Sequence, residues 1–353
     1  MNELEQQLHY PLGDALPDNG HCLEVAPGVK WIRMALPFAL NHINLWLLRD
    51  EIDGVAGWSI VDCCIHRDEA KAQWEALFVN ELEGLPVLRV IVTHMHPDHI
   101  GLAHWLCTRW NAPLFISATD FMVVTMACSG SDTFSGERTA QFYARHGMND
   151  DETARKLRER APYFTSLVPS VPDQFHRLLD GGALQIGPHR WTCISGYGHA
   201  PEHMALYCAE RDLLISGDML LPSISTNVSV YAQEPQGNAL QLFLDSLTKM
   251  QNLPDSTLVL PSHGRPFRGA AKRIAQLQAH HDERLGELLQ ACTVQALSAH
   301  EALPVLFKRP LNVHQMTFAM GESVAHLHML WLGGQLQREL HADGVYRFRT
   351  TQS

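Results

Sequence analysis

With 353 residues, 46% of them hydrophobic and 18% charged, the chain has room for one large domain or two ordinary ones and can bury a sizeable core, which excludes global disorder. The formal net charge of −11 argues against a general binder of nucleic acid or of anionic membranes, although a local basic patch stays open. Eight scattered cysteines without a Cys-x-x-Cys pair read as reduced, mostly buried thiols. The polar, acidic start Met1-Asn2-Glu3-Leu4-Glu5 is unlike a secretory signal, and no window reaches the ~18 continuous apolar residues of a membrane span, so a soluble cytoplasmic protein is expected.

Residues 21–65 are predicted to form a run of strands. Val29-Lys30-Trp31-Ile32-Arg33-Met34 alternates, residues 43–49 are apolar and β-prone, residues 50–54 signal a turn, and Trp58-Ser59-Ile60-Val61 ends at Asp62. Helical spacing follows over 68–82 (Ala70, Trp74, Leu77, Phe78, Leu82), and an apolar strand over 87–92 leads into Thr93-His94-Met95-His96-Pro97-Asp98-His99. Ile100 to Trp110 reads as helix and Pro113-Leu114-Phe115-Ile116 as strand, an alternation that implies a layered α/β fold. From about Asp120 to Arg177 the chain is charged and helix-prone with no clear strand (Thr139 to Arg145, then Asp151 to Arg160), which marks a helical insertion. Strands resume over 183–186, 191–194, 204–208 and 213–216, and a helix over 239–251 precedes Leu258-Val259-Leu260. From Ala270 the pattern is mainly helical to Leu340, closed by Asp343 to Phe348. The boundary falls near 268–271, dividing the chain into 1–269 and 270–353.

The chemistry is concentrated at strand ends. Between Thr93 and His99, three imidazoles and a carboxylate fall directly after a buried strand. His94 and His96 are two apart and point the same way in extended backbone, while Pro97 bends the chain and offers Asp98 and His99 as a second set. Neutral imidazole and carboxylate are the usual ligands of zinc and similar divalent ions. Later strands end in Gly196-Tyr197-Gly198-His199, Ser216-Gly217-Asp218 and Pro261-Ser262-His263. Each is weak alone; their joint order is a strong pattern.

On these residues, over about 25–268, the chain resembles the metallo-β-lactamase-fold hydrolase superfamily, with metal ligands similar to those of glyoxalase II. The resemblance implies a four-layer αββα sandwich with two divalent ions at one sheet edge: zinc first, with iron or manganese as the other candidates. It implies that His94, His96 and His199 hold one ion, that Asp98, His99 and His263 hold the other, and that Asp218 bridges them. Asp98 and Asp62 are the carboxylates it ties to catalysis, Asp62 by orienting a ligand. Water between ions ~3.5–4 Å apart is a hydroxide near neutral pH, so no Ser or Cys nucleophile is required. A bridging Asp218 points away from β-lactams and toward esters, thioesters or lactones of a small or medium molecule. His96 stands where flavodiiron oxygen reductases carry Glu, and the complete second set differs from the single iron of persulfide dioxygenases. Two departures stand out: Cys64 where the family usually has Gly, and Glu202 in place of the Gly of His-Thr-Pro-Gly-His. His203 is expected to be structural.

The insertion is expected to form a lid or pocket wall, with Tyr143, Arg145, His146, Tyr163 and Phe164 as candidates to touch substrate, and residues 221–227 should border the site. The segment 270–353 resembles the winged-helix-like extension of one branch of the superfamily. One member of that branch is similar to an endoribonuclease, so RNA or a nucleotide phosphodiester is the alternative substrate and a non-catalytic binding protein a further one. Without a clustered basic face, packing or homodimerisation is favoured over nucleic-acid binding, and no membrane partner is expected. His280 and His281, like His326 and His328, are expected to diverge on their helices rather than form another metal site.

Overall fold

The structure is a computed structural model that describes residues 3–131, 133, 135–159, 163–311 and 313–351; Arg160 of the expected insertion lies outside these residues. The first sheet holds seven strands in sequential order: β1 (Leu23–Ala26), β2 (Val29–Ala35), β3 (His42–Ile52), β4 (Val55–Val61), β5 (Val87–Ile91), β6 (Leu114–Ser117) and β7 (His176–Leu178). Strands β1 to β4 are antiparallel hairpin neighbours, whereas β4 to β7 run parallel. The parallel strands need crossovers, which α1 (Asp68–Asn80), α2 (Pro97–Ile100) and α3 (Ala103–Trp110) supply. The insertion contributes α4 (Ala118–Cys128), α5 (Gly136–Ala144), α6 (Asp151–Glu159) and α7 (Tyr163–Leu167). It ends one strand earlier than expected, because Arg177 lies inside β7, a three-residue edge strand too short to leave a periodic signal.

The second sheet has the order β12-β11-β10-β9-β8, built from β8 (Ala183–Ile186), β9 (His189–Gly196), β10 (His203–Cys208), β11 (Leu213–Gly217) and β12 (Leu258–Pro261), with α8 (Ala239–Thr248) crossing over before β12. The two sheets face each other across Val29, Trp31, Trp46, Leu48 and Ile91 on one side and Trp191, Met204, Leu206, Ile215 and Leu260 on the other. Trp31 and Trp46 are register partners whose rings stack at 6.2 Å. Each buried side chain of this size contributes roughly 1.5–3 kcal/mol. Helices cover both outer faces: Trp74, Leu106 and Val124 pack on the first sheet, and Leu240, Phe243 and Ile274 on the second. Helix, sheet, sheet, helix is the expected four-layer sandwich.

One buried ion pair also ties the sheets. Arg89 of β5 donates to Asp50 of β3 through Nε (2.9 Å) and Nη2 (2.6 Å), and its Nη2 reaches the Gln185 carbonyl of the second sheet at 2.7 Å. Asp50 also accepts from the Ser59 hydroxyl (2.5 Å) and the Gly187 amide (2.7 Å), so little of its acceptor capacity is left unmet.

The C-terminal segment contains α9 (Ala270–Val294), α10 (Ala299–Leu306) and α11 (Val313–Leu332), then the hairpin β13 (Leu336–Leu340) and β14 (Tyr346–Thr350). Helix therefore stops at Leu332, not Leu340: Gly334 adopts a φ of 77°, and Leu336 to Leu340 pairs residue for residue with β14. These helices share one apolar core with the outer face of the second sheet, from Leu214 and Val259 to Leu288, Met320 and Leu327.

Candidate metal centre

Strands β9 and β11 are both antiparallel to β10, and β12 is parallel to β11, so these three strands deliver their C-terminal ends to one edge. In the other sheet, β4 and β5 are parallel and end at the same edge. Asp62, His94, His199, Asp218 and His263 follow these ends within three residues.

The structure brings all the expected side chains together. His94, His96, His199 and Asp218 form one group of potential ligand atoms within 4.8 Å of one another, and Asp98, His99 and His263 form a second. His94 Nε2 lies 3.0 Å from His96 Nδ1 and 3.2 Å from His199 Nε2. Two ligands on a tetrahedral ion at ~2.05 Å would be ~3.3 Å apart. Asp218 faces both groups: Oδ2 is 3.2 Å from His199 Nε2, while Oδ1 is 3.6 Å from His99 Nε2 and 3.4 Å from His263 Nε2. Asp98 Oδ2 lies 3.4 Å from His263 Nε2.

Acceptors behind the rings fix which nitrogen carries the proton. His199 Nδ1 donates to the Asn227 carbonyl (2.8 Å), His263 Nδ1 to the His42 carbonyl (2.7 Å) and His99 Nδ1 to Asp62 Oδ2 (2.7 Å). Each ring therefore presents a bare Nε2 to the centre. Asp62 also accepts from the Thr93 amide (2.8 Å) and hydroxyl (2.9 Å), and that hydroxyl oxygen lies 3.1 Å from His94 Nδ1. Nε2 of His99 and Oδ1 of Asp218 are buried without a hydrogen-bond partner. Convergent bare imidazole nitrogens beside orphaned carboxylate oxygen are the donor set of a divalent cation, so the residues fit the metals that the fold implies.

The two groups differ in the charge their surroundings favour. Burial, reinforced by neighbouring imidazoles, holds His94 well below its ordinary value and His96 at about 3, keeping both neutral. Burial opposes charge on His99 and His263 too, but Asp62, Asp98 and Asp218 raise His99 well above its ordinary value, and Asp218 with Asp98 raises His263 to about 10. Burial likewise works against ionised Asp218, and His263 and His99 outweigh it and lower its carboxyl.

Both departures from the family pattern are absorbed locally. Cys64 takes a left-handed φ of 70° and Asp62 one of 62°, conformations that cost about 1–3 kcal/mol each outside glycine. Glu202 needs no such φ; its amide donates to Asp120 Oδ1 at 2.7 Å and its carboxylate accepts from Thr119 at 2.7 Å. His203 lies beneath the centre, with Nε2 accepting from the Asp218 amide at 3.2 Å. A Cβ on Gly217 would sit 2.0 Å from that nitrogen, so this turn needs glycine.

Several contributors were not singled out from sequence. Asp120 accepts from the Met95 amide (2.8 Å) as well as that of Glu202, tying two ligand loops together, and burial pushes its carboxyl up to about 7. Its signal was position, at the end of β6 beside the other strand-end carboxylates. Asn44 donates to the carbonyls of Pro261 (2.8 Å) and Gly264 (3.0 Å) on either side of His263. The C-terminal helices hold the loop after Asp218: Arg273 donates to Leu221 (2.7 Å) and Ile224 (2.9 Å), the Val230 amide to Gly321 (3.2 Å), and Asn227 to Glu322 (3.4 Å).

The insertion is less of a pocket wall than expected. Tyr143 is buried with its hydroxyl on the Thr317 carbonyl (2.9 Å), His146 is buried against His328, Arg145 lies over the Tyr346 ring and Phe164 packs on the first sheet's helices. Of the five, Tyr163 lines an open cavity, with Phe38, His66 and Arg67. His281 of α9 and His326 of α11, a pair not singled out from sequence, meet across the two helices, Nδ1 to Nε2 at 3.2 Å.

No helix among the described residues is long and apolar enough to cross a membrane. The profile of the metallo-β-lactamase superfamily matches residues 40–263, and that of a metallo-β-lactamase-like C-terminal domain matches 285–351. The solved structure of a β-lactamase domain protein from Burkholderia ambifaria is 51% identical, with a TM-score of 0.94 over 99% of this chain and 100% of that one. A metallo-β-lactamase family protein of Thermus thermophilus, TTHA1429, is 28% identical with a TM-score of 0.76 over 93% of this chain and 100% of its own. The probable metallo-hydrolase YqjP of Bacillus subtilis is 21% identical over 85% of this chain and 91% of its own length. With this profile match and the His and Asp cluster at the sheet edge, the chain belongs to the metallo-β-lactamase superfamily, as a metal-dependent hydrolase.

Proposed function

We propose that the protein is a dinuclear hydrolase of an ester, thioester or lactone of small or medium size. The observation that carries this is Asp218, whose two oxygens face the two ligand groups separately. In this reading His94, His96 and His199 would hold one divalent ion and Asp98, His99 and His263 the other, with an Asp218 oxygen facing each group; zinc suits this imidazole-rich set best. Bound there, two such ions would acidify a water and polarise the scissile carbonyl. The chain's own residues set the stage for that chemistry. Asp62, Asn227 and the His42 carbonyl hold three imidazoles in the tautomer that leaves Nε2 bare. Asp120 and Asn44 fix the loops that carry them. Asp98, the more exposed carboxylate of the centre, is placed to accept a proton on the open side.

The test is metal content followed by hydrolysis of a thioester and lactone panel, with a β-lactam and single-stranded RNA alongside. About two ions per chain, turnover of the acyl substrates, and at least an approximately 100-fold loss in Asp98→Ala are expected. Less than one bound ion, an unaffected Asp98→Ala variant, or RNA cleavage without acyl hydrolysis would overturn the proposal.

A further inference from the structure

Beside the ligand cluster lies a cavity of about 490 Å³ lined by Arg33, Arg265, Tyr10, Gly264 and Pro222, with the acids Glu5 and Asp14 also on its wall. Gly264 follows His263 directly and Pro222 is four residues beyond Asp218, so two of its lining residues belong to the loops that carry candidate metal ligands.

Arg33 is the unusual member. It sits on β2 opposite Asn44 of β3, at the end of the row that continues Val29 and Trp31 on the face between the sheets. Its Nη1 donates to the Gly264 carbonyl at 3.1 Å and approaches the Asn44 side-chain oxygen at 3.5 Å. Both partners are neutral, and no carboxylate contacts this guanidinium among the described residues. Nor is the bond to Gly264 needed to satisfy that carbonyl, because Asn44 Nδ2 already donates to it at 3.0 Å. The Nε and Nη2 donors of Arg33 have no protein partner among the described residues. These donors are not among the buried atoms left without a partner, so they are open to solvent and to an incoming ligand. Burial itself, with Arg265 nearby, works against the charge.

The other charges in the cavity are already engaged. Arg265 donates to the Gly13 carbonyl at 2.8 Å and to Asp14, lies over the Tyr10 ring at 4.7 Å, and its acidic partner has a 96% exposed side chain. The field of Glu5 is felt by Tyr10 and Arg273. What remains is Arg33, which has no carboxylate partner among the described residues, in a chain whose net charge of −11 otherwise repels anions.

We propose that this cavity is a substrate subsite for an anionic group, a carboxylate or phosphate, received by the Nε and Nη2 donors of Arg33. This deepens the proposed hydrolase activity: the preferred substrate carries its scissile acyl group at the metal centre and a negative charge several bonds away. Planar, bidentate pairing with the guanidinium supplies the selectivity.

The test uses the metal-loaded full chain and two aryl esters that differ only in a terminal charge, the p-nitrophenyl monoester of adipic acid and p-nitrophenyl hexanoate. The wild type is expected to prefer the adipate ester. Arg33→Gln should raise its KM about 10- to 100-fold, the range for losing a charge-assisted pair, while the hexanoate KM moves by less than about threefold. Arg33→Lys, which keeps the charge and loses the fork, should fall between. No preference in the wild type, or an equal loss on both esters in Arg33→Gln, would mean that Arg33 merely braces Gly264 and overturns the subsite. Failure to cleave either ester would count against the hydrolase reading alone. In that event calorimetric titration with monomethyl adipate decides the subsite: at least about tenfold weaker binding in Arg33→Gln supports it and equal binding overturns it.

Discussion

Replacing Asp62 by Asn would separate the two proposed ions. In the native chain Asp62 Oδ2 accepts the His99 Nδ1 proton at 2.7 Å, and the carboxylate also takes the Thr93 amide and hydroxyl at 2.8 and 2.9 Å. Asn has one carbonyl oxygen for these three donors. If that oxygen stays on Thr93, the NH₂ group faces His99 Nδ1, and His99 must move its proton to Nε2, the nitrogen aimed at the second ion. Losing one hydrogen bond to a charged acceptor costs about 1.5–3 kcal/mol, or roughly 10- to 150-fold in affinity. The range agrees with the 10- to 100-fold typical of residues that orient metal ligands. The first ion should suffer far less. Asp62 touches its ligands only through the Thr93 hydroxyl near His94, and His199 is held independently by Asn227. Titrating zinc into metal-free protein against a chromophoric chelator should therefore show one site weakened 10- to 100-fold and one changed by less than about threefold. Equal weakening of both sites, or no weakening, would refute this division of labour.

Two further expectations concern stability. Asp50→Ala leaves the Arg89 guanidinium buried without its carboxylate and should cost about 3–5 kcal/mol in urea unfolding, with a coupling to Arg89→Met above about 1.5 kcal/mol in a double-mutant cycle. A coupling under about 0.5 kcal/mol would show that the hydrogen bonds from Ser59 and Gly187, rather than the ion pair, hold that junction. The buried pair His281 and His326 predicts a pH slope. Burial first, then their neighbours, hold them at about 3 and about 4 in the folded chain, below the 6.5 of free imidazole. Above pH 6.5 both are neutral whether folded or unfolded and contribute no pH dependence. As pH falls below 6.5 the unfolded chain takes up protons that the folded one refuses, so stability drops by up to about 1.4 kcal/mol per pH unit for each histidine. His281→Gln should flatten the slope between pH 6.5 and 5, and an unaltered slope would show that the pair does not resist protonation.

The candidate ligand set was legible because it is written locally: a strand, a turn and then a histidine at β5, β9 and β12 or an aspartate at β11, within a few positions. A layered α/β fold followed from alternating apolar strands and helical spacing, and the four-layer sandwich from the family resemblance. What stayed hidden depends on contacts distant in sequence. Asn44 reaches Gly264 across 220 positions and Arg273 reaches Leu221 across 52, and no spacing rule announces such partners. The insertion misled for a related reason. Tyr143 and His146 are aromatic and semi-polar, as substrate-contacting residues often are, yet their partners Thr317 and His328 lie in α11, and only the packed chain shows that they form an interface. The helix expected through Leu340 stops early at a local signal, the Gly333-Gly334 pair before an alternating segment.

The grip of the last helices on the loop behind Asp218 bears on the order of events during synthesis. Asp218 leaves the ribosome early, but Arg273, Gly321 and Glu322, which anchor the loop carrying the Asn227 carbonyl, follow some 50 to 100 residues later. At ~5–20 residues per second that gap lasts seconds. During it, the backbone that aims His199 lacks the anchors that Arg273, Gly321 and Glu322 supply. Stable capture of metal on this side of the centre would therefore wait until residues 270–332 have emerged and docked, tying loading of the ions to near-complete translation.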